Sequence, residues 1–502
     1  MNLNLSIQSC NILRAVFFLK VLFQQIQTNN DCRRLLRGLT PTACLLITII
    51  AFPATVSAQS LPRRSSIPEA AAELRRAAEL LQSGKLDEAE TILRRVLASN
   101  PNNADAHNLL GVTLDQRGKT PEAEREYRAA LRLNPNAVSA MANLGVLLAH
   151  TNRADDAIRT FESVLRLAPD HPQATINLGL QYAVRGDDAR AAPLLRRAMT
   201  LGLDSYEVRY RLGVSLYKLK RFDEAATAFE SALALSSSAA EPYFYLGLIA
   251  WDNGREAQAP DLWDRAVSLK PNFPEANFML GEALRKNHRT PASIEFYQRA
   301  LEQDATQFVY YARLGGVYIA LGQPDQALAV FRRSVLRFPE LPEAHYFMGI
   351  AARAQADYET AERELRKSLA LEPGNLNALA QLGFVLLERD RLTEAETTLR
   401  RAIAINDKHF YANYDLGRLL VKSRRYEQAL PVLQHAATIK PKNPGVHYQL
   451  FLALSRQKKK EEADRELAIF KELDEARKAR PQSADLEDDD AQNSSPVSPP
   501  HS

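Results

Sequence analysis

Residues 104–137 read ADAHNLLGVTLDQRGKTPEAEREYRAALRLNPNA, and residues 138–171, VSAMANLGVLLAHTNRADDAIRTFESVLRLAPDH, follow with no insertion. Superposed, they share Leu-Gly at 110–111 and 144–145, Ala123 with Ala157, Tyr127 with Phe161, and Pro135 with Pro169. The 34-residue register continues in both directions: glycine recurs at Gly111, Gly145, Gly179, Gly213, Gly247, Gly281, Gly315, Gly349, Gly383 and Gly417. Only 20 of the 502 residues are glycine, so an unbroken series in one phase is not chance and the chain is a repeat array.

With the glycine placed at position 8 of a repeat numbered 1 to 34, each residue type has a physical task. From Leu110 to Leu450 position 7 is leucine, except Met348. Position 20 is alanine from Ala89 to Ala463, with Ser293 the departure, and position 24 is large and apolar, as in Tyr127, Phe161, Phe229, Trp263, Tyr297 and Phe331. Positions 4, 7, 8 and 11 share one helical face, as do 20, 24 and 27, so each repeat is expected to hold two amphipathic helices. Small residues at 8, 20 and 27 let the helices approach, and the residue at 24 fills the space beside them. Proline at 32, in Pro101, Pro135, Pro169, Pro271, Pro339, Pro373 and Pro441, marks the connection to the next repeat. Positions 203, 237, 305 and 407 lack it, which predicts different turns after the fourth, fifth, seventh and tenth repeats.

With its Leu-Gly, Ala, aromatic, Ala and Pro positions at this period, the chain resembles the tetratricopeptide repeat (TPR) proteins. The resemblance implies an all-α fold, a right-handed superhelical α-solenoid of about twelve helix-turn-helix repeats over residues 70–477. The terminal units depart from the pattern, with Ala77 and Phe451 at the glycine position, as expected of capping repeats.

The formal charge of +4 resides in the first 58 residues, where Arg14, Lys20, Arg33, Arg34 and Arg37 stand against Asp31. The remainder is neutral, which argues against nucleic acid as a partner. Arg33, Arg34 and Arg37 precede an apolar run at 43–54, and Val56-Ser57-Ala58 supplies the small residues of a signal-peptidase site. The run falls short of the ~20 residues a spanning helix needs, which favours a cleaved signal ending at Ala58 over a membrane anchor at 43–54. Residues 1–30 precede this signal, and a start codon placed too far upstream is one reading of them. Residues 59–69 read as a linker. The expected location is outside the cytoplasm, periplasmic or extracellular. Cys10, Cys32 and Cys44 all lie ahead of the cleavage point, so the mature chain would have no disulfide or thiolate metal site. Residues 478–502 are polar and include Glu487-Asp488-Asp489-Asp490, a composition expected to be disordered, with an acidic docking peptide as the alternative.

No residue set calls for a cofactor, a metal or catalysis. Gly118-Lys119-Thr120 imitates the end of a phosphate-binding loop, but the earlier glycine would fall at Thr113. Ser455 and Lys458 have acylase spacing without an accompanying motif. His107, His345 and His447 all occupy position 4, several repeats apart, and read as packing residues, because metal ligands must converge.

Positions 2, 5, 9 and 12 of the first helix form a second stripe that is unexpectedly apolar. Position 5 carries Tyr210, Phe244, Phe278, Tyr346, Tyr414 and Tyr448, position 9 carries residues such as Val146, Ile350 and Phe384, and position 12 adds Tyr217 and Trp251. Glutamates accompany them at position 2 (Glu207, Glu241, Glu275, Glu343), with Lys218, Arg285, Lys286, Arg313 and Arg353 on nearby phases. In the TPR family this stripe faces the ligand, so the position 5 aromatics are the expected partner-binding row, with sealing of the joints between repeats as the alternative. The family's carboxylate clamp, lysine at 5 with asparagine at 9, is absent. Of the asparagine ladder found at position 6 in the protein O-GlcNAc transferases, only Asn143 and Asn177 remain, and residues 478–502 are too few for a transferase domain. The expectation is a non-enzymatic scaffold that binds a protein or peptide partner, with an accessory subunit of an envelope assembly machine, of polysaccharide-export or pilus type, as the alternative.

Overall fold

The computed structural model describes residues 67–478, so the expected export signal, most of the linker and the acidic tail lie outside the described residues. Two compact units divide the chain, one up to Arg255 and one from Glu256. In the first, the helices are α1 (Ile67–Gln82), α2 (Leu86–Ser99), α3 (Ala104–Gln116), α4 (Thr120–Leu133), α5 (Val138–His150), α6 (Ala154–Leu167), α7 (Pro172–Arg185), α8 (Asp188–Thr200), α9 (Tyr206–Lys218), α10 (Phe222–Leu235) and α11 (Ala240–Asp252). The second opens with a 3-10 turn (Glu256–Gln258) and continues through α12 (Ala259–Leu269), α13 (Pro274–Lys286), α14 (Thr290–Gln303), α15 (Phe308–Ala320), α16 (Pro324–Arg337), α17 (Pro342–Ala354), α18 (Tyr358–Leu371), α19 (Leu376–Glu388), α20 (Leu392–Ile405), α21 (Phe410–Lys422), α22 (Tyr426–Ile439), α23 (Pro444–Arg456) and α24 (Lys460–Lys478). Odd-numbered helices are the first, and even-numbered the second, of the repeats read from the sequence. The fold is an all-α repeat solenoid, with no strand among the described residues.

The turn between the two helices is the same in every repeat. Position 15 is left-handed each time, at Gly118 (φ 72°) and Gly322 (φ 67°) but also at Lys220 (φ 57°), Ala356 (φ 59°) and Arg424 (φ 58°). The next amide then donates to the carbonyl of position 11, as from Lys119 to Leu114 and from Gln323 to Tyr318, closing the first helix.

The connection between repeats corrects the sequence reading. After α8, where Gly202 adopts φ 86°, the turn does differ. After α10, α14 and α20 the helix instead ends on an extended residue, like its proline-containing counterparts: Ser236 (φ −150°), Asp304 (φ −141°) and Asn406 (φ −146°) resemble Asn134 (φ −136°). The side-chain bond of this turn forms with or without the proline: Asp304 accepts from the amide of Thr306 at 2.8 Å and Asn406 from that of Lys408 at 3.0 Å, as Asn134 accepts from that of Asn136 at 3.1 Å beside Pro135. At Ser236 a backbone bond from Ala239 at 3.3 Å suffices.

Packing within a repeat rests on the glycine at 8. A Cβ at Gly145 would lie 2.6 Å from the Phe161 ring, and one at Gly417 would lie 2.2 Å from Leu433. The side chain at 24 therefore lies against bare backbone, and Tyr127, Phe161, Phe229, Trp263, Tyr297 and Phe331 are all fully buried. Between repeats, basic residues at position 16 reach glutamates at position 21 of the repeat before: Arg153 to Glu124 at 2.7 Å, and Arg425 to Glu396 at 2.5 Å. Glu362 is nearly buried and gathers Arg366 at 2.8 Å, Arg389 at 2.6 Å and Arg391. Burial pushes its carboxyl up, but the guanidiniums of Arg366 and Arg391 outweigh that and hold it below the usual carboxylate range.

First helices of successive repeats touch one another within each unit, as α3 touches α5 and α19 touches α21, while second helices make no comparable contact with each other. Each unit therefore presents its first helices as one continuous face. Two adjacent glycines test the packing scheme. A Cβ at Gly315 would meet Phe331 at 2.2 Å, whereas at Gly316 it would meet nothing within 4 Å. Gly315→Ala is expected to destabilise by ~1–3 kcal/mol through overpacking. Gly316→Ala is expected to stabilise by ~0.5–1 kcal/mol through helix propensity. Equilibrium denaturation of the two variants checks the opposite signs.

Candidate functional site

The first-helix face separates the position 5 aromatics into two groups. Phe244, Phe278 and Tyr346 are buried, only 6%, 2% and 7% exposed, and are core residues, contrary to the expected open row. The reason is the direct contact of first helices: the Phe278 ring on α13 sits 5.7 Å from Tyr297 of its own second helix and 5.1 Å from Tyr310 on the next first helix. Tyr346 is buried as well, with the ring of Phe347, its neighbour on the same helix, 5.2 Å away. Tyr210 and Tyr414 are half-buried, and Tyr448 is 40% exposed. Tyr217 and Trp251 at position 12 are half-buried.

In the first unit the half-buried rings gather around α9 and α11. Tyr206 and Tyr210 stack at 5.9 Å with ring planes 2° apart. Tyr210 also meets Tyr245 at 6.2 Å, and Tyr217 meets Tyr245 at 5.5 Å and Phe222 at 5.6 Å. Arg211 lies 5.6 Å over Tyr210 and pairs with Glu207 at 2.7 Å, while the Tyr217 hydroxyl donates to Asp252 at 3.0 Å. This is an apolar patch whose rim is already hydrogen-bonded.

Asn143 and Asn177 are occupied by the chain itself. The Asn143 amide donates to Asn108 Oδ1 at 3.1 Å across two repeats, and the Asn177 amide donates to the Gln173 carbonyl of its own helix at 2.8 Å.

In the second unit the face carries guanidiniums and carboxylates. Glu282 on α13 accepts from the Tyr297 hydroxyl at 2.5 Å and pairs with both Arg285, at 3.4 Å, and Arg313, at 3.2 Å. Farther along, Arg353 of α17 and Arg418 of α21 stand 5.2 Å and 5.6 Å from the Phe384 ring centroid on α19. Arg418 also reaches Glu388 at 2.8 Å and Asp415 at 3.0 Å. Burial pushes the Asp415 carboxyl up to about 6 in spite of Arg418. Arg418 and Asp415 were not singled out from sequence; their signal is the phase shared by positions 6, 9 and 12 in successive repeats.

The three histidines at position 4 form one repeated motif. His345 is fully buried, with Nδ1 2.7 Å from Glu364 and Nε2 2.9 Å from the Pro339 carbonyl. His107 spans Glu126 and Pro101 at 2.6 Å and 3.0 Å, and His447 spans Glu466 and Pro441 at 2.6 Å and 2.9 Å. Each ring ties its second helix to the connection from the repeat before. Glutamate stands at position 23 in these three repeats alone, a pairing legible in the sequence once the register is known. Among the described residues, no group of three or more His, Cys, Asp or Glu could hold a metal ion, and no helix is long and apolar enough to cross a membrane.

Tetratricopeptide repeat family profiles match residues 80–132, 112–172, 151–206 and 210–272, on the register that places glycine under the residue at 24. The chain is a tetratricopeptide repeat protein. The profile of the cilia and flagella-associated protein 70 C-terminal domain matches residues 264–492. No curated protein matches this TPR chain in sequence. Solved structures similar to it include yeast Tom70, at 14% identity over 79% of this chain and 97% of that one, with a TM-score of 0.34. The APC/C hetero-tetramer Cut9-Hcn1 shares 12% identity over 82% and 94%, with a TM-score of 0.41. YrrB, described as a TPR protein with an unusual peptide-binding site, shares 21% identity over 39% and 97%, with a TM-score of 0.32.

Two measurements follow from this face. Phe278→Ala should cost ~3–5 kcal/mol of stability, as a large core truncation does, and lower the denaturation midpoint. His345→Leu and Glu364→Thr install the residues that Leu379 and Thr398 supply at positions 4 and 23 of the next repeat. The double variant should be more stable than the sum of the single losses by ~0.5–3 kcal/mol in a double-mutant cycle.

Proposed function

We propose that this TPR chain is a non-enzymatic scaffold that holds a peptide or helical segment of a partner protein on the first-helix face, at the aromatic patch of α9 and α11. The observation that carries the reading is the joining of first helices into one face on which Tyr206, Tyr210, Tyr217 and Trp251 remain half-buried, rather than sealed like Phe244. Half-buried tyrosines offer large, rigid area at low entropic cost and suit an apolar segment. Glu207, Arg211 and Glu241 around them supply a polar rim that fixes register more than affinity. The family supports a protein-binding role in general; the patch is this chain's own. On the pattern of residues 33–58, we further propose that the scaffold works outside the cytoplasm.

The test uses the full chain and its captured partner. Tyr210→Ala and Tyr217→Ala should each weaken capture by ~2 kcal/mol, about thirtyfold, if they are hot spots. Leu336→Ala, at a side chain 79% exposed on a second helix, should leave capture unchanged. Equal affinity in all three variants, with unfolding midpoints unmoved, rejects the patch.

A further inference from the structure

Tyrosine stands at position 24 in two repeats, as Tyr127 and Tyr297, and only one of them belongs to a cluster whose charges balance. In the second unit the Tyr297 hydroxyl on α14 donates to Glu282, at position 9 of α13, at 2.5 Å. Two guanidiniums of the chain complete that cluster: Arg285, at position 12 of the same helix, lies 3.4 Å from Glu282, and Arg313, at position 6 of α15, lies 3.2 Å from it. In the first unit Tyr127 on α4 is fully buried, and its hydroxyl has no hydrogen-bond partner. The carboxylate within its electrostatic reach is Asp115, at position 12 of α3: burial first, and then the Asp115 charge, hold the phenol well above its usual range.

Nothing in the chain balances Asp115. Its side chain makes no hydrogen bond or ion pair among the described residues. It is half-buried, and that burial pushes its carboxyl up to about 6. The position that carries Arg313 in the other cluster holds Asn143 here, whose amide donates to Asn108 Oδ1 at 3.1 Å. Arg117 and Lys119, the next cations along the chain, turn to Glu90 of the repeat before, at 2.5 Å and 3.9 Å. Arg75 on α1 donates to the Ala71 carbonyl of its own helix at 3.3 Å. The first helices on either side, α1 and α5, carry Ala78, Leu81, Val146 and Ala149 at positions 9 and 12, none of which can supply a charge. A desolvated carboxylate and a buried hydroxyl thus keep acceptor capacity that no donor of the chain uses, an arrangement that costs stability until a donor arrives.

We propose that Asp115 and Tyr127 receive an arginine side chain of a partner segment lying on the first-helix face across α3 and α5. The guanidinium supplies from outside what Arg285 and Arg313 supply at Glu282: two N–H groups in a fork to the carboxylate, and a third to the Tyr127 oxygen. A guanidinium also sheds water more readily than an ammonium, which suits a half-buried acceptor. The inference rests on the reading of the first-helix face as a binding surface, at a patch separate from the tyrosines of α9 and α11.

The test uses the full chain and a fluorescent pentapeptide, Gly-Ala-Arg-Ala-Gly, with binding read by anisotropy. The citrulline form of the peptide has nearly the same shape without the charge and should bind about tenfold more weakly, and the lysine form should also bind more weakly. Asp115→Asn should abolish the preference for arginine over citrulline, and Tyr127→Phe should reduce it. Because neither group has a partner within the chain, both variants should keep the native unfolding midpoint or exceed it. Equal binding of the arginine and citrulline forms, tighter binding of the lysine form, an arginine preference that survives Asp115→Asn, or a lowered midpoint in that variant overturns the proposal. Tyr210→Ala should leave the arginine preference intact, so this receptor and the tyrosine patch can fail independently.

Discussion

The close approach of two helices across a residue with no side chain is what the rest of this structure depends on. At Gly111, Gly145, Gly213, Gly281 and Gly315 the ring at position 24 occupies the space a Cβ would fill. At Gly383 and Gly417 a leucine does the same. That contact sets the spacing of the helix pair, and the spacing lets the next repeat's first helix close over the joint. Because each internal repeat is fixed by its own glycine and its own large residue, the stack propagates by nearest-neighbour contact alone. The left-handed residue at position 15 contributes equally in every repeat, even where lysine or arginine stands in place of glycine. Packing of the pair outweighs the ~1–2 kcal/mol that a Cβ costs in that conformation.

On this scaffold the variable positions divide by what surrounds them. Where Tyr297 and Tyr310 close on Phe278, the aromatic is core. Around α9 and α11, tyrosines pack on one another and keep part of each ring in solvent. On either side of α19, Arg353 of α17 and Arg418 of α21 converge on one ring, Phe384, which supports both guanidiniums. The two units thus present different chemistries on equivalent helices, apolar with a polar rim in one and guanidinium–carboxylate pairs around a single ring in the other. A repeat whose core is set at positions 7, 8, 20, 24 and 27 leaves positions 6, 9 and 12 free to vary this way.

The helix pairs, their boundaries and the small-to-large packing were legible in the sequence because they recur: a constraint applied twelve times leaves a periodic trace. So did the His–Glu pairs at positions 4 and 23, although only in register, since the partners are 19 residues apart and belong to different helices. The turns were less legible. Proline at 32 marked the connection, yet Asp304 and Asn406 build without it the same side-chain-bonded turn that Asn134 builds beside Pro135. Different residues meet one backbone requirement, so the absence of one residue type did not signal a different geometry.

What the sequence by itself determined is the 34-residue unit, its two helices and the contact of position 24 with position 8, all of which depend on residues within one repeat. What only the tertiary structure decided is the exposure of position 5. Phe278 and Tyr448 occupy that position in chemically similar helices, yet one is 2% exposed and the other 40%. The difference lies in the next repeat: Tyr310 closes over Phe278, while among the described residues no repeat follows α24 to cover Tyr448. Burial is a property of a neighbour's side chain and its distance, and the period of a single repeat carries neither.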